Sequence, residues 1–372
     1  MAKRPSDQEQ DVPEFTQFND LCNETVGGQI LFATDDWFAV AENLLKASPP
    51  EWREGEFTAC GKWMDGWETR RRRAPGHDWA VLRLGVPGII KGVLIDTAYF
   101  TGNYAPKVSL QAAYLQPKDE ECIPQRKSEM GRAASEEEMR QIQQLQSQEW
   151  AYLLPMTPLK PGYEDSRFNY FNINNQEKWT HLRFNLYPDG GIARLRVFGE
   201  VQFDRNTLLG KKIDLLSILN GSVCVKYSNA HYGHPRNIMK LNPGKDMGDG
   251  WETARRLDRP SILKVDKNNI LQVPGNEWAI FKLGCSGTIQ EIEVDTSHFK
   301  GNFPDSIKVE GTKDINGDVL WEILLPPAKL SPHKNHIYLE SALQAKGPFS
   351  YIRVTIAPDG GISRLRLWGH AV

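Results

Sequence analysis

Leu182, Phe184 and Leu186 alternate with polar residues before a Pro-Asp-Gly-Gly turn at 188–191, and Leu195 and Val197 alternate after it. The same spacing returns in Ile352, Val354 and Ile356, then Leu365 and Leu367, around Pro358–Gly361. A period of two puts alternate side chains on one face of a strand, so each set reads as a hairpin. Short runs of this kind, bounded by Gly, Pro, Asn and Asp, recur roughly every 8 to 12 residues. Two segments depart from it. Ala39 to Lys46 has the spacing of a short helix. Ser135, three residues before Glu138 and followed by Met139, Ile142 and Leu145, carries a capping box and helical periodicity. It predicts one exposed helix on a flexible loop.

The chain also repeats itself. Asp65-Gly66-Trp67-Glu68-Thr69 returns as Asp249-Gly250-Trp251-Glu252-Thr253, and Asp78 to Gly85 returns as Glu277 to Gly284. Ile95-Asp96-Thr97 through Gly102-Asn103 returns as Val294-Asp295-Thr296 through Gly301-Asn302. Trp150-x-x-Leu153-Leu154-Pro155 matches Trp321-x-x-Leu324-Leu325-Pro326, and Pro188 to Arg196 matches Pro358 to Arg366. Five blocks in one order mean a duplicated domain. The expected fold is all-β, two tandem jelly-roll β-sandwich domains arising from that duplication. Their bounds are read as a disordered arm at 1–21, a first repeat at 22–203 with a helical insert at about 117–149, a linker at 204–219 and a second repeat at 220–372. In the linker, Leu208, Ile213, Leu216 and Leu219 can pack between the copies. The second copy carries its own insertion around Pro260 to Gln272.

Composition removes several classes of function. Against 45 Lys and Arg stand 47 Asp and Glu, a net charge of −2, which lacks the basic surplus that a phosphate backbone demands. Nucleic acid is not expected as a partner. The longest apolar stretches, such as Gly88 to Ile95, fall far short of the roughly 18 residues of a spanning helix, so no membrane is expected either. Residues 1–12 have no apolar core of a secretory signal. The 5 cysteines are odd in number and form no Cys-x-x-Cys pair, which suits reduced thiols in the cytoplasm. The final residues His370-Ala371-Val372 are not a peroxisomal address, although that compartment stays open.

The polar residues shared by the copies carry the chemistry. Packing alone gives no reason to keep Asp65, Glu68 and Asp96 as Asp249, Glu252 and Asp295, so these six are candidate proton carriers. The alternative for the Asp-Gly-Trp-Glu-Thr block is a turn whose Asp caps amides while Trp fills the core. Arg70 and Arg71 in one copy and Arg255 in the other share the loop with these carboxylates, and an Arg fork grips a carboxylate ligand through two bonds. The run Arg70 to Arg73 has two other readings, a nuclear address or a solvated face. Asn103 and Asn302 offer amides that can read urea-like groups; Arg194 and Arg364 follow the turns as binding residues or as surface ion pairs. Asp96 and Asp295 can equally be Asx-turn caps. Tyr99 stands where His298 stands in the second copy, which makes His298 a further proton-carrier candidate. His231-x-x-His234 has no third ligand nearby, and no nucleotide-binding glycine pattern or serine elbow exists, so no metal and no cofactor are expected.

These strings resemble a known family. The tandem Asp-Gly-Trp-Glu-Thr with trailing arginines, Asp96 to Asn103, and Tyr187 to Arg194 are similar to the allantoicases, the allantoate amidinohydrolases, over about residues 22 to 372. The resemblance implies two jelly rolls like galactose-binding modules, self-association into a homo-oligomer, and hydrolysis of allantoate to ureidoglycolate and urea in purine breakdown. Expelling urea requires a proton for the leaving nitrogen and a base for water, hence two carboxyl roles, with an Arg on the substrate carboxylate. The competing readings are a pair of non-catalytic ligand-binding modules and a family member without activity. The number of active sites stays open: an Arg70 clamp, facing Ala254, would place the reaction in the first copy, and a His298 proton carrier in the second.

Overall fold

The computed structural model describes residues 12–372. The described residues divide into two units, the first ending at Glu200 and the second spanning Val201–Val372. Each is built round one 19-residue strand, Asp78–Asp96 in the first and Glu277–Asp295 in the second. The N-terminal half of Asp78–Asp96 pairs with Gln29–Ala33 and Lys178–Tyr187, and its C-terminal half pairs with Phe168–Asn172. In the second unit, Glu277–Lys282 pairs with Val223–Tyr227 and Phe349–Ala357, while Gly287–Asp295 pairs with Arg364–Ala371 and Asn335–Leu339. One strand therefore serves both layers of a sandwich.

The change of layer happens where the strand pairing skips. A Cβ on Gly85 would lie 2.3 Å from the Val26 carbonyl, and one on Gly284 would lie 1.6 Å from that of Asn220. Only glycine allows the turn leading into the neighbouring strand to sit against the long strand here. Between the layers lies the alternating apolar set: Leu182, Phe184, Leu186, Leu195 and Val197 in the first unit, and Ile352, Val354, Ile356, Leu365 and Leu367 in the second, all fully buried. The two-layer, all-β tandem fold is as the periodicity required.

The hairpins are not. Lys178–Tyr187 pairs with Lys107–Ala113 and Asp78–Asp96 but not with Arg194–Val201, which lies beside the other half of the long strand. The Pro-Asp-Gly-Gly turn crosses from one layer of the sandwich to the other, joining strands that flank the long strand on opposite sides, and so does its counterpart. Period-two spacing is identical for a hairpin and for two strands facing each other across a core, because both bury alternate residues.

The insert also differs from expectation. The helix Glu136–Gln143 exists, with the Ser135–Glu138 capping box in place. It is not a free appendage: Ile142 is fully buried against Leu31, Phe32, Trp79 and Val81. Arg126, from the same insert, forms ion pairs with Asp36 at 2.5 Å and Glu42 at 2.8 Å. Within the arm expected at 1–21, residues 1–11 lie outside the described residues. From 12 onward the chain is part of the first unit: Phe15 is buried with its ring 5.9 Å from Phe198, and Asn19–Asp20 pairs with Phe198–Gly199. In the segment 204–219, Ile213–Asp214 pairs with Trp368–Gly369, and Leu215 and Leu216 are in the second unit's core. Among the described residues no helix is long and apolar enough to cross a membrane.

Candidate active site

In both units the Trp-Glu dipeptide forms a two-residue strand on the inter-sheet turn. Trp67–Glu68 pairs with Gly191–Ile192, and Trp251–Glu252 with Gly361–Ile362. Trp67 and Trp251 are fully buried, and their indole nitrogens donate to the carbonyls of Asp35 (2.8 Å) and Asn229 (2.9 Å). Thr69 accepts from the Gly190 amide at 3.1 Å, and Thr253 from Gly360 at 3.1 Å. These glycines have φ of 127° and 126°, a region closed to other residues, which explains why the turn keeps them. The tryptophan and threonine are thus structural, and their packing forces the intervening glutamate outward.

That glutamate meets the asparagine of the Gly-Asn block. Asn103 donates to Glu68 at 2.7 Å, and Asn302 donates to Glu252. Burial pushes the Glu68 carboxyl above its usual range, with the Asn103 bond partly opposing it. In the second unit, Glu252 and Asn302 line an open cleft of about 480 Å³ together with Arg255, Arg259, Tyr232 and Lys329. Arg259 is paired with Asp359 at 3.0 Å, and Lys329 with Asp305. Arg255 makes no ion pair among the described residues, nor does its counterpart Arg71, and both are exposed.

The remaining candidates lie elsewhere. Arg70 is held by Asp35 (2.7 Å) and stacked 4.2 Å over Trp37, and Ala254 replaces it in the second unit. Asp65 is buried and receives Arg194 (2.6 Å), Lys46 (2.9 Å) and the Glu51 amide (3.0 Å). Asp249 receives Arg364 and Lys240, both at 2.6 Å. Burial lifts these two carboxyls, but the hydrogen bonds from arginine and lysine outweigh it and hold both below the ordinary range. Arg194 and Arg364 spend their other donors on carbonyls of 48–49, 65 and 193, and of 242, 249 and 363. Asp96 is buried on Arg167 and caps the Ala98 amide at 2.9 Å; Asp295 caps Ser297 at 2.8 Å. Both have the Asx-turn geometry. His298 has φ 72°, as Tyr99 has φ 68°, and its Nε2 is bonded to the Gly244 carbonyl at 2.8 Å. His234 Nδ1 accepts from the Arg236 amide at 3.0 Å; burial, helped by the Arg236 charge, drives its pKa down to about 3.

The structure therefore brings together Glu252, Asn302 and Arg255, and separates them from the Asp–Arg knots. Tyr232, Arg259 and Lys329 at the cleft were not legible as candidates. Leu271 comes from the second copy's own insertion and Arg259 directly precedes it, where the repeat comparison is blind.

Two β-sandwiches follow one another along the chain, and the second has, beside its inter-sheet turn, a cleft that offers a carboxyl, an amide and an unpaired guanidinium. The family model described as Allantoicase repeat matches residues 19–202 and 213–372. The chain belongs to the allantoicase family. It is 41% identical over 95% of its length, and 97% of the relative's, to a probable allantoicase of Pseudomonas syringae pv. syringae; one of Pseudomonas aeruginosa is 40% identical over 95% and 96%. Among solved structures it is similar to an allantoicase from Saccharomyces cerevisiae, with TM-score 0.71, 33% identity and 96% coverage of both chains. A second structure, described as that of allantoicase, has TM-score 0.71 and 34% identity over 95% and 94% of the chains.

Proposed function

We propose that this chain hydrolyses allantoate to ureidoglycolate and urea in purine degradation, and that the reaction takes place at Glu252, Asn302 and Arg255 and at the matching Glu68, Asn103 and Arg71. Family membership supports the reaction. The observation that supports the place is the recurrence, in two diverged copies, of a glutamate bonded to an asparagine with an arginine that has no counter-ion.

Each group has a role that its surroundings permit. Arg255 and Arg71 take the substrate carboxylate as a bidentate partner. Asn302 and Asn103 orient the glutamate and present their amides to a ureido group. Asp305 and Asp359 are tied to Lys329 and Arg259, which leaves Glu252 as the cleft's one carboxyl without a cation on it. A single carboxyl then serves both proton transfers. Protonated, it gives its proton to the leaving ureido nitrogen as the lone pair of the other nitrogen expels urea. The resulting carboxylate takes a proton from the water that adds to the acyliminium carbon, which restores the acid. Water is consumed, one C–N bond breaks and one C–O bond forms. On this reading the Asp65–Arg194 and Asp249–Arg364 pairs position loops, and the reaction needs no metal.

The five free cysteines fit a reducing cytoplasm, and the homo-oligomer implied by the sequence is open to sedimentation analysis. The decisive experiment is incubation with allantoate, measuring urea and ureidoglycolate from the wild type and from the Glu68→Gln/Glu252→Gln double variant. Release by the wild type and its loss in the double variant are expected; equal release by both would move the site elsewhere.

A further inference from the structure

The outer face of strand Lys178–Tyr187 is polar and yet buried: Arg183 is 6% exposed and Asn185 1%. Arg183 stands directly across from Gln111 on the neighbouring strand. At the equivalent place in the second unit Arg353 stands across from Glu310 and bonds to it at 2.8 Å, with Lys308 adding a second contact at 3.0 Å. There the charges cancel.

In the first unit they do not. Gln111 replaces the carboxylate, and its amide donates to the carbonyls of Gln148, at the end of the insert, and Trp150, just after it, at 2.8 and 3.1 Å, bonds that a glutamate could not make. Arg183 is left with neutral partners: Asn185 at 2.9 Å, Ser147 at 2.8 Å and the Trp79 ring at 3.9 Å. Its second terminal nitrogen has no hydrogen-bond partner among the described residues, and no carboxylate pairs with it. A guanidinium taken out of water without a counter-ion is costly, and an arriving anion relieves that cost. Consistently, burial brings the Arg183 pKa down to about 10.

The surroundings describe the anion. Asn185 Oδ1 accepts from Arg183 and lies 3.0 Å from His77 Nε2, which makes that nitrogen the donor and leaves His77 Nδ1 with a free lone pair. Burial first, and then the charges of Arg183 and Arg72, lower the His77 pKa against the opposing Asn185 bond, a shift that favours the neutral ring. Tyr187 stacks on that ring at 4.4 Å with its hydroxyl 2.9 Å from Ser109. The cluster thus pairs one cation with a hydrogen-bond acceptor and a hydroxyl.

We propose that Arg183 is the floor of a second small-anion site, specific to the first repeat and separate from the Glu–Asn pairs, which takes a carboxylate bearing a ureido or amide arm. The carboxylate meets Arg183; His77 Nδ1 accepts from the arm. Sodium ureidoacetate is a suitable probe, because its carbon bears one ureido group and cannot expel urea with help from a second. Calorimetric titration in an Arg71→Gln/Arg255→Gln background removes the proposed clamps of the other site. Saturable binding is expected there, weakened about 10- to 100-fold by Arg183→Gln and also by Gln111→Glu, which supplies the missing counter-ion without deleting the arginine. Glycolate, with no ureido arm, should bind more weakly. Absence of binding in that background, or binding that both Arg183→Gln and Gln111→Glu leave intact, would overturn the site; equal binding of glycolate would overturn its assignment to ureido acids. Since the readout is binding with the cleft arginines removed, failure here leaves the proposed hydrolytic site untouched.

Discussion

Asn103 donates its side-chain amide to Glu68 across 2.7 Å, joining the Gly102-Asn103 bend to the short strand Trp67–Glu68 that pairs with Gly191–Ile192 at the inter-sheet turn. The repeat of this bond between Asn302 and Glu252 makes it a property of the fold rather than of one loop. The two glutamates are therefore expected to act as equivalent, independent proton carriers. Glu68→Gln and Glu252→Gln should each leave about half of the allantoate turnover, and the double variant should lose about 10²- to 10⁴-fold. Steady-state urea release checks this. A single variant as inactive as the double would confine the reaction to one repeat.

Arg255 and Arg71 should behave as binding residues. Arg255→Gln in an Arg71→Gln background should raise KM for allantoate well before it lowers kcat, the pattern of an interaction present equally in ground and transition states. An unchanged KM with a collapsed kcat would instead make the arginine part of the chemistry.

Glu68 also leaves a signature in stability. Its folded pKa is raised by burial, so it favours the native state in its protonated form, and that contribution is lost as pH rises through the folded value. Glu68→Gln keeps the oxygen that accepts from Asn103 and removes the buried charge. It should melt higher than the wild type at pH 7, and the gap should close as pH falls below about 4.5. A variant that melts lower at pH 7 would show that the charged form is the one the fold prefers.

Asp65 has the opposite sign. Its folded pKa is depressed, so its contribution is present above the ordinary carboxyl value and lost as pH falls through the folded one. Asp65→Asn strands the buried Arg194 and should cost about 3–5 kcal/mol at pH 7, with the deficit shrinking as the medium is acidified below about pH 4. Denaturant melts at several pH values measure it; a loss below about 1 kcal/mol would reduce the pair to a surface-type contact.

The insert is expected to be part of the first unit's stability. Ile142→Ala removes a fully buried side chain and should cost about 2–5 kcal/mol. Replacing 117–148 with a short Gly-Ser linker should lower Tm further, because Trp79 and Phe32 lose their cover. A replacement that melts like the wild type would return the insert to the role of a dispensable loop.

The duplication, the all-β class and the family were legible in the sequence by itself, because they rest on local signals: period-two burial, turn residues and ordered strings that occur twice. Glu68, Asn103 and Arg71 were legible as candidates for the same reason. What the string could not separate is which of the polar residues the copies share are tied into ion pairs and which are not. Asp65 and Glu68 are three residues apart and equally repeated, yet Trp67 packing sends one into an Arg–Lys knot and the other out beside Asn103. The partners that decide this, Arg194 and Lys46 for the first, Asn103 for the second, lie 19 to 129 positions away. The same holds for Arg183, an unremarkable residue in an alternating strand until Gln111 is seen opposite it where the second copy has a glutamate. Charge balance at a buried position is set by cross-strand neighbours, and only the tertiary fold names them.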